Sequence, residues 1–195
     1  MSRGALQIGN LTARIPIIQG GMGVGISLSN LAGSVAASFL LDRGYRRILY
    51  LGGCPEDAIS QSRLKGIDTV LREEELCMKT LFGDTPYTED IEALRRILST
   101  EARPEVALCA NNRIALECLQ CAMQLGLRIP QDLALMTFDR YPFSQLLIPR
   151  LTAVEVDMFD MGWEAARFLA QKIKKPGLQA QTFCTTPRLV EGEST

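Results

Sequence analysis

Short apolar runs alternate with helix-like segments along most of this 195-residue chain. The runs have the length of buried strands, and the segments between them repeat apolar residues three and four positions apart, as helices do. Strands and helices that alternate with short connections favour a parallel sheet with helices on both faces. We therefore predict an α/β fold with a doubly wound, mostly parallel sheet. The predicted strands are 46–53, 78–84, 105–112, 132–139, 151–157 and 181–190, and the predicted helices are 31–43, 58–75, 88–98, the segment between Arg113 and Gly126, and 158–174.

The helix after residue 112 has the clearest pattern. Its apolar positions are predicted to be buried, and they are Ile114, Ala115, Cys118, Leu119, Ala122 and Met123. Cys118 and Cys121 form a C-x-x-C in this helix, whereas redox pairs of that kind normally stand at a helix N-terminus, where the dipole stabilises a thiolate. We therefore expect these cysteines to pack in the core.

The helix over 158–174 repeats apolar residues in a similar way. Met161, Ala165 and Leu169 are spaced like a core face, and Trp163 and Phe168 lie among them. Packing is the expected role of this helix, against a lobe that is missing here and that a full-length relative would supply.

The absence of histidine from the chain excludes a Ser-His-Asp or Cys-His relay supplied by this chain. The formal net charge of −1, with no basic tract, argues against a protein whose main task is to grip phosphate backbones. Six cysteines without a disulfide framework, and no signal peptide or apolar run long enough for a membrane span, favour the cytoplasm. We expect no enzyme activity, no metal and no cofactor.

A glycine-rich stretch, "IPIIQGGMGVGISLS" at residues 15–29, is the main sequence feature that could suggest a cofactor. The pattern G-x-G-x-x-G fails, because Ile26 and Leu28 stand where the third glycine is needed, and no lysine completes a P-loop. Two interpretations stay open: a loop that brings backbone N–H groups close to a phosphate, or a turn between a strand and a helix.

Residues 8–36, "IGNLTARIPIIQGGMGVGISLSNLAGSVA", resemble the N-terminus of the FMN-dependent nitronate monooxygenase family. In that family the loop matching Gln19 to Gly23 lies against the flavin, near Met22. The family's active-site histidine has no counterpart in this chain. This resemblance implies an alternative function, a fragment of an FMN-dependent oxidoreductase, or a fusion with no function of its own.

From residue 37 onward the chain resembles the ligand-sensing portion of the LacI/GalR family of bacterial repressors. The matching segments are "ASFLLDRGYRRILYLGG" (37–53), "SQSRLKGIDTVL" (60–71), the run 109–169 that begins "CANNRIALECLQC", and "TPRLVEGEST" (186–195). The resemblance implies a periplasmic-binding-protein-like fold of type I with one lobe largely complete. It divides the chain into a segment of separate parentage, 1–36, and an effector-binding domain, 37–195.

The same resemblance implies the sensing of a small polar metabolite, sugar-like or purine-like, by a transcription regulator. Because no helix-turn-helix headpiece precedes the domain, we expect no direct nucleic-acid binding by this chain, and we expect no membrane partner. Exposed apolar surface on such a lobe favours a homodimer.

Polar residues close the predicted strands at positions where a ligand could be held. Asn111 and Asn112 end one strand and Asp139 ends the next, while Arg63 lies in the helix after "YLGG". Ligands of parallel sheets bind beyond the carboxyl ends of the strands. These groups could hold a solute through hydroxyl and amide contacts.

Structural roles are the alternative for two of these residues, because Asp139 could shape a turn and Asn111 could cap the next helix. The LacI/GalR resemblance places Arg63, Asn111 and Asp139 on effector-contacting positions and Leu108 near an apolar contact. Asn112 stands where that family usually has Asp, which removes a charge beside the pocket.

Overall fold

The computed structural model describes residues 6–8, 11–13, 29–83, 89–141, 146–175, 177–179 and 185–195. The strands are β1 (Leu6–Ile8), β2 (Leu11–Ala13), β3 (Ile48–Leu51), β4 (Lys79–Leu81), β5 (Val106–Cys109), β6 (Ala134–Phe138), β7 (Thr152–Glu155) and β8 (Arg188–Val190). The helices are α1 (Ser29–Asp42), α2 (Ala58–Glu73), α3 (Glu89–Leu98), α4 (Asn112–Gln124) and α5 (Met158–Lys174). Each predicted strand and helix from residue 31 onward has a counterpart, although the strands are shorter than predicted.

Six strands form the main sheet in the order β4-β3-β5-β6-β7-β8. β4, β3, β5, β6 and β7 run parallel, and β8 is antiparallel to β7. β1 and β2 pair with each other in a separate two-stranded sheet. The predicted doubly wound, mostly parallel sheet is confirmed.

Helices cover both faces of the main sheet. α1 and α2 pack on one face, where Ala36, Leu40 and Ile67 join the core, and α3 and α4 pack on the other, where Leu98 and Cys118 do so. After β3 the chain runs outward to β4 and then returns to the opposite side of β3 as β5. This reversal of strand order is the point at which open α/β sheets form a crevice at the carboxyl ends of the strands.

α1 and α2 cross at two glycines. A Cβ on Gly33 would overlap the carbonyl of Arg63, and a Cβ on Gly66 would overlap the carbonyl of Asn30. Ser34 adds a hydrogen bond from its hydroxyl to the Gly66 carbonyl, 3.1 Å long. The crossing therefore determines where α2, and with it Arg63, lies over the sheet.

α1 is continuous from Ser29 to Asp42, so the predicted boundary after residue 36 falls inside a helix. The separate parentage of residues 1–36 stays a prediction. The glycine-rich positions 20–25 lie outside the described residues, as do residues 181–184 of the predicted last strand.

One burial prediction is wrong. Met123 is 67% exposed, and Cys121 is buried in its place, because residues 121 and 122 of α4 both face the core. α5 buries none of its residues in this structure, so the predicted packing of Met161, Ala165 and Leu169 against a second lobe stays a prediction.

The C-x-x-C prediction is confirmed, since Cys118 and Cys121 both lie in the core between α4 and the sheet. Burial raises the pKa of Cys109 and of Cys121, and contact with Cys118 adds to the shift. These thiols are therefore held in their neutral form. Among the described helices, none is both long and apolar enough to cross a bilayer.

Candidate functional site

A cavity of about 590 Å³ lies beside the point where the strand order reverses. The cavity is lined by the loops after β3, β5 and β6 and by the first turns of α2 and α4. Its lining residues are Gly53, Cys54, Asp57, Ile59, Ser60, Arg63, Ala110, Asn111, Arg113, Asp139 and Tyr141. Three of the four predicted site residues therefore come together in one cavity.

Arg63 is the most enclosed charged group of this cavity. It lies in the second turn of α2 and its side chain is only 8% exposed. Its Nη1 donates to the Ala110 carbonyl at 2.8 Å, and its guanidinium stacks 4.4 Å from the centre of the Phe138 ring. The buried Nε has no hydrogen-bond partner among the described residues.

Asp139 follows the last residue of β6 and carries a positive φ of 65°. Its backbone N–H donates to the Val154 carbonyl at 2.8 Å, which ties the turn to β7. Its Oδ2 lies 3.4 Å from Nη2 of Arg63. Burial raises the pKa of Asp139, and the Arg63 charge opposes that shift without cancelling it. The turn-shaping role is present, and the carboxylate also lines the cavity.

Asn111 has a structural role that the sequence left open. Its Oδ1 accepts a hydrogen bond from the Ile114 N–H at 3.1 Å, which makes it the N-cap of α4. Asp57 caps α2 in the same way through the Ser60 N–H, at 2.8 Å. Both helices therefore direct their N-termini toward the cavity, where the helix dipole favours electron-rich ligand atoms.

Asn112 is fully buried and supports the site from below. Its Nδ2 donates to the main-chain carbonyl of Asp139 at 2.7 Å. Asn112 lacks the charge that an aspartate would have, but its amide supplies a hydrogen-bond donor that an aspartate could not. A pair of asparagines at the end of a strand was the available signal, but their different roles could not be separated without the fold.

Leu108 lies in the middle of β5 and is completely buried in the core beneath the cavity. It is not among the described residues that line the cavity. Its apolar contact with a ligand stays a prediction.

Sequence reasoning did not select Cys54, Asp57, Ser60, Arg113 or Tyr141, which also line the cavity. They carry a thiol, a hydroxyl, a phenol and charges of both signs, so the cavity can match many hydrogen-bonding patterns. Among the residues that the structure describes, no group of three His, Cys, Asp or Glu side chains could hold a metal ion.

A family model described as "Periplasmic binding protein-like domain" matches residues 37–195, which include the whole six-stranded sheet and every residue of the cavity. The chain belongs to this periplasmic binding protein-like family. Within it, the matched region is of the LacI/GalR ligand-sensing type, as the repressors that it resembles indicate.

The ribose operon repressor of Haemophilus influenzae is 29% identical over 169 residues, which cover 85% of this chain and 51% of the repressor. The HTH-type transcriptional repressor PurR of Vibrio vulnificus is 29% identical over 168 residues, covering 85% of this chain and 50% of that protein. The chain therefore spans about half the length of these curated relatives.

A periplasmic binding protein/LacI transcriptional regulator from Alkaliphilus metalliredigens, solved with D-xylulofuranose, has the same fold with a TM-score of 0.77. It is 22% identical, and the match covers 87% of this chain and 64% of that one. These matches give no support to the nitronate monooxygenase alternative.

Proposed function

We propose that the cavity at the reversal point binds a small polar metabolite, and that this binding is the sensing step of a LacI/GalR-type transcription regulator. One observation carries the proposal: Arg63, Asn111 and Asp139, from three separate elements, converge on a single cavity of about 590 Å³. That volume is within the range of small-molecule sites.

The side chains suit a ligand with several hydroxyl or amide groups. The Asp139 carboxylate accepts hydrogen bonds, the Asn111 amide can still donate through its nitrogen, and the Arg63 guanidinium at the cavity wall is a donor. Arg63 is already held by Ala110 and Phe138, so little side-chain entropy is lost when a ligand binds. Leu108 is proposed as an apolar support beneath these groups.

A sugar is the first ligand class to test, with a purine-like solute as the second. The H. influenzae relative is named for a ribose operon and the A. metalliredigens structure holds D-xylulofuranose. Binding without chemistry agrees with the relatives, which are repressors, and we assign the chain no enzyme activity and a cytoplasmic location. The proposal gives this chain no DNA contact, because its formal net charge is −1.

Isothermal titration calorimetry with ribose, xylulose and hypoxanthine tests the proposal on the 195-residue chain. Asp139→Asn keeps the shape of the side chain and removes its charge, so we expect affinity to fall by about tenfold or more, as hydrogen bonds to charged groups imply. Asn111→Ser keeps a capping oxygen but removes the amide donor, and we expect a smaller loss.

Arg150→Ala is the matched control, because Arg150 pairs with Glu193 and does not line the cavity. Its affinity should equal that of the unmodified chain. The proposal fails if none of the three solutes binds, or if the Asp139 and Asn111 variants bind as well as the control.

A further inference from the structure

A second cavity, the amino-edge cavity, lies at the opposite ends of the strands from the cavity at the reversal point. It has a volume of about 580 Å³ and is lined by the loops that precede β3, β5 and β6, which are neighbouring strands of the main sheet. The two cavities share no lining residue. The charged groups of its lining are Arg43, Arg47, Arg103, Glu101, Glu105 and Asp132. Its size is within the range of small-molecule sites.

Two of its three carboxylates are already bound within the loops. Glu105 accepts hydrogen bonds from the backbone N–H groups of Arg46 and Arg47, at 2.8 and 3.0 Å, and pairs with Nη1 of Arg47 at 2.9 Å. Asp132 accepts from the backbone and the guanidinium of Arg128, at 2.7 to 3.0 Å. Burial acts to raise the pKa of Glu105, but its hydrogen bonds outweigh burial and leave that pKa lowered. The bonds from Arg128 lower the pKa of Asp132, so both carboxylates stay charged and paired.

Arg103 is a half-buried cation of this cavity that lacks such a pair. Its Nε donates to the main-chain carbonyl of Asp132 at 3.3 Å, which fixes the direction of the side chain. Among the residues that the structure describes, no carboxylate forms an ion pair with Arg103, and its terminal nitrogens donate no hydrogen bond. A guanidinium keeps its charge in proteins, so an anion at these terminal nitrogens is favourable.

The common structural reason for an arginine at this edge is already met by other residues. Arginines near helix C-termini compensate the helix dipole. At the end of α1, Nη1 of Arg46 donates to the Leu41 carbonyl at 3.0 Å, and α3 carries Arg95 and Arg96 in its last turn. Arg103 is therefore not needed for this purpose.

Once the paired groups are set aside, Arg103 and Glu101 are the charges of the lining that remain. Arg43 pairs with Glu191, which lies outside the lining. Glu101 is exposed, whereas Arg103 is half-buried. Water and salt screen an exposed charge more strongly than a partly buried one, so the cavity keeps a net attraction for an anion.

We infer that the amino-edge cavity binds an oxyanion, the phosphate or carboxylate group of a small metabolite, with Arg103 as its main contact. The two terminal nitrogens of Arg103 form a planar fork that matches two oxygens of such a group. Arg47, whose Nε donates to the Arg103 carbonyl at 3.4 Å, and the half-buried phenol of Tyr45 supply further donors. Pro104 and Pro130 provide apolar wall for the body of the metabolite.

Inorganic phosphate and citrate are the probes for this site. Isothermal titration calorimetry on the 195-residue chain at constant ionic strength, up to about 20 mM probe, covers the millimolar affinities expected for a small anion. We expect saturable binding, with stronger binding of phosphate assigning a phosphate-bearing ligand and stronger binding of citrate a carboxylate-bearing one. Failure of both probes to bind would overturn the inference, and it would leave sugar binding at the reversal point unaffected.

Substitution of Arg103 tests the main contact. Arg103→Gln removes the charged fork and should weaken binding by about tenfold or more, and Arg103→Lys keeps the charge and should cause a smaller loss. Arg96→Gln is the matched control, because it removes the same charge from an exposed position outside the cavity. Circular dichroism checks that all three variants stay folded. Equal affinities of the Arg103→Gln variant and the control would contradict the inference.

Two further variants test the sign of the ligand charge and its location. Glu101→Gln removes a repulsive charge and should tighten binding by about twofold to fivefold at low ionic strength, a gain that partial unfolding cannot produce. Weaker binding by this variant would exclude an anionic ligand. Arg113→Gln changes the cavity at the reversal point. Loss of binding there, with full binding by Arg103→Gln, would place the anion in that cavity and overturn the inference.

Discussion

Arg63 shows how a single residue links the core to the site. Arginine is seldom fully buried unless it is paired, and this one is 7% exposed. An aromatic ring, a backbone carbonyl and a carboxylate each satisfy part of the guanidinium, so its position is determined on three sides. A lysine could not make the same contacts, since it lacks the planar fork of donors.

Asn112 provides the first prediction at this scale. Asn112→Ala removes the donor to the Asp139 carbonyl and leaves that buried group unpaired, so we expect a loss of about 1–3 kcal/mol in the free energy of unfolding. Urea denaturation measures the loss. Because the left-handed Asp139 turn would keep its hydrogen bond to Val154 but lose the one from Asn112, ligand affinity should fall as well.

Asn112→Asp is the companion variant. A carboxylate presents only acceptors to the Asp139 carbonyl, so this variant should be at least as unstable as Asn112→Ala at neutral pH. Full stability in the aspartate variant would show that the hydrogen bond contributes nothing.

At the scale of elements, the crossing of α1 and α2 positions the site. Each glycine of the crossing faces a backbone carbonyl of the other helix, and one of those carbonyls belongs to Arg63 itself. Backbone groups move less readily than side chains, so neither helix can shift without moving the other. Gly33, which follows the glycine-rich stretch, belongs to this helix packing.

Gly66→Ala is expected to destabilise the chain by about 1–3 kcal/mol or more, because the added methyl group overlaps the Asn30 carbonyl. The higher helix propensity of alanine, worth about 1 kcal/mol, is too small to offset the overlap. The midpoint of thermal unfolding measures the change.

Lys65→Ala, the adjacent exposed position on α2, is the control for this substitution. It introduces the same residue into the same helix and should change stability by less than about 0.5 kcal/mol. A Gly66 variant as stable as this control would show that the two helices can move apart freely.

For the whole molecule, two carboxylates at the carboxyl edge of the sheet, the half-buried Asp139 and the buried Glu155, change the free energy of unfolding with pH in opposite directions. Burial raises the pKa of Asp139. Burial also acts to raise the pKa of Glu155, but hydrogen bonds from Arg140 and Arg188 outweigh it and leave that pKa lowered. Glu155 therefore contributes stability that is lost as the pH falls from its unfolded pKa through its lower folded pKa. Asp139 adds stability at higher pH, as the pH falls from its raised folded pKa to its unfolded pKa.

Substitution separates the two contributions. Glu155→Gln should flatten the acid side of the stability profile, and Asp139→Asn should make the loss on acidification steeper. Denaturation midpoints measured from about pH 2 to about pH 7 cover the ordinary carboxyl pKa values, about 3.9 for Asp and about 4.3 for Glu, together with the shifts to either side of them. Profiles parallel to that of the unmodified chain in both variants would contradict this assignment.

The fold class and the order of elements follow from the sequence, because hydrophobic periodicity is a local property of the chain. The segment over Met158–Lys174 is a helix with the predicted bounds for that reason. The convergence of Arg63 and Asp139 could also be anticipated, since parallel strands bring their carboxyl ends to one edge.

Only the tertiary structure decided which face of each element is covered. Met123 and Cys121 exchanged burial, and α5 is exposed, because burial depends on where neighbouring elements lie and a helix pattern does not contain that information. The different roles of Asn111 and Asn112 also depend on the tertiary structure. Their adjacent side chains differ in direction, so one caps a helix at the cavity and the other supports Asp139 from the core.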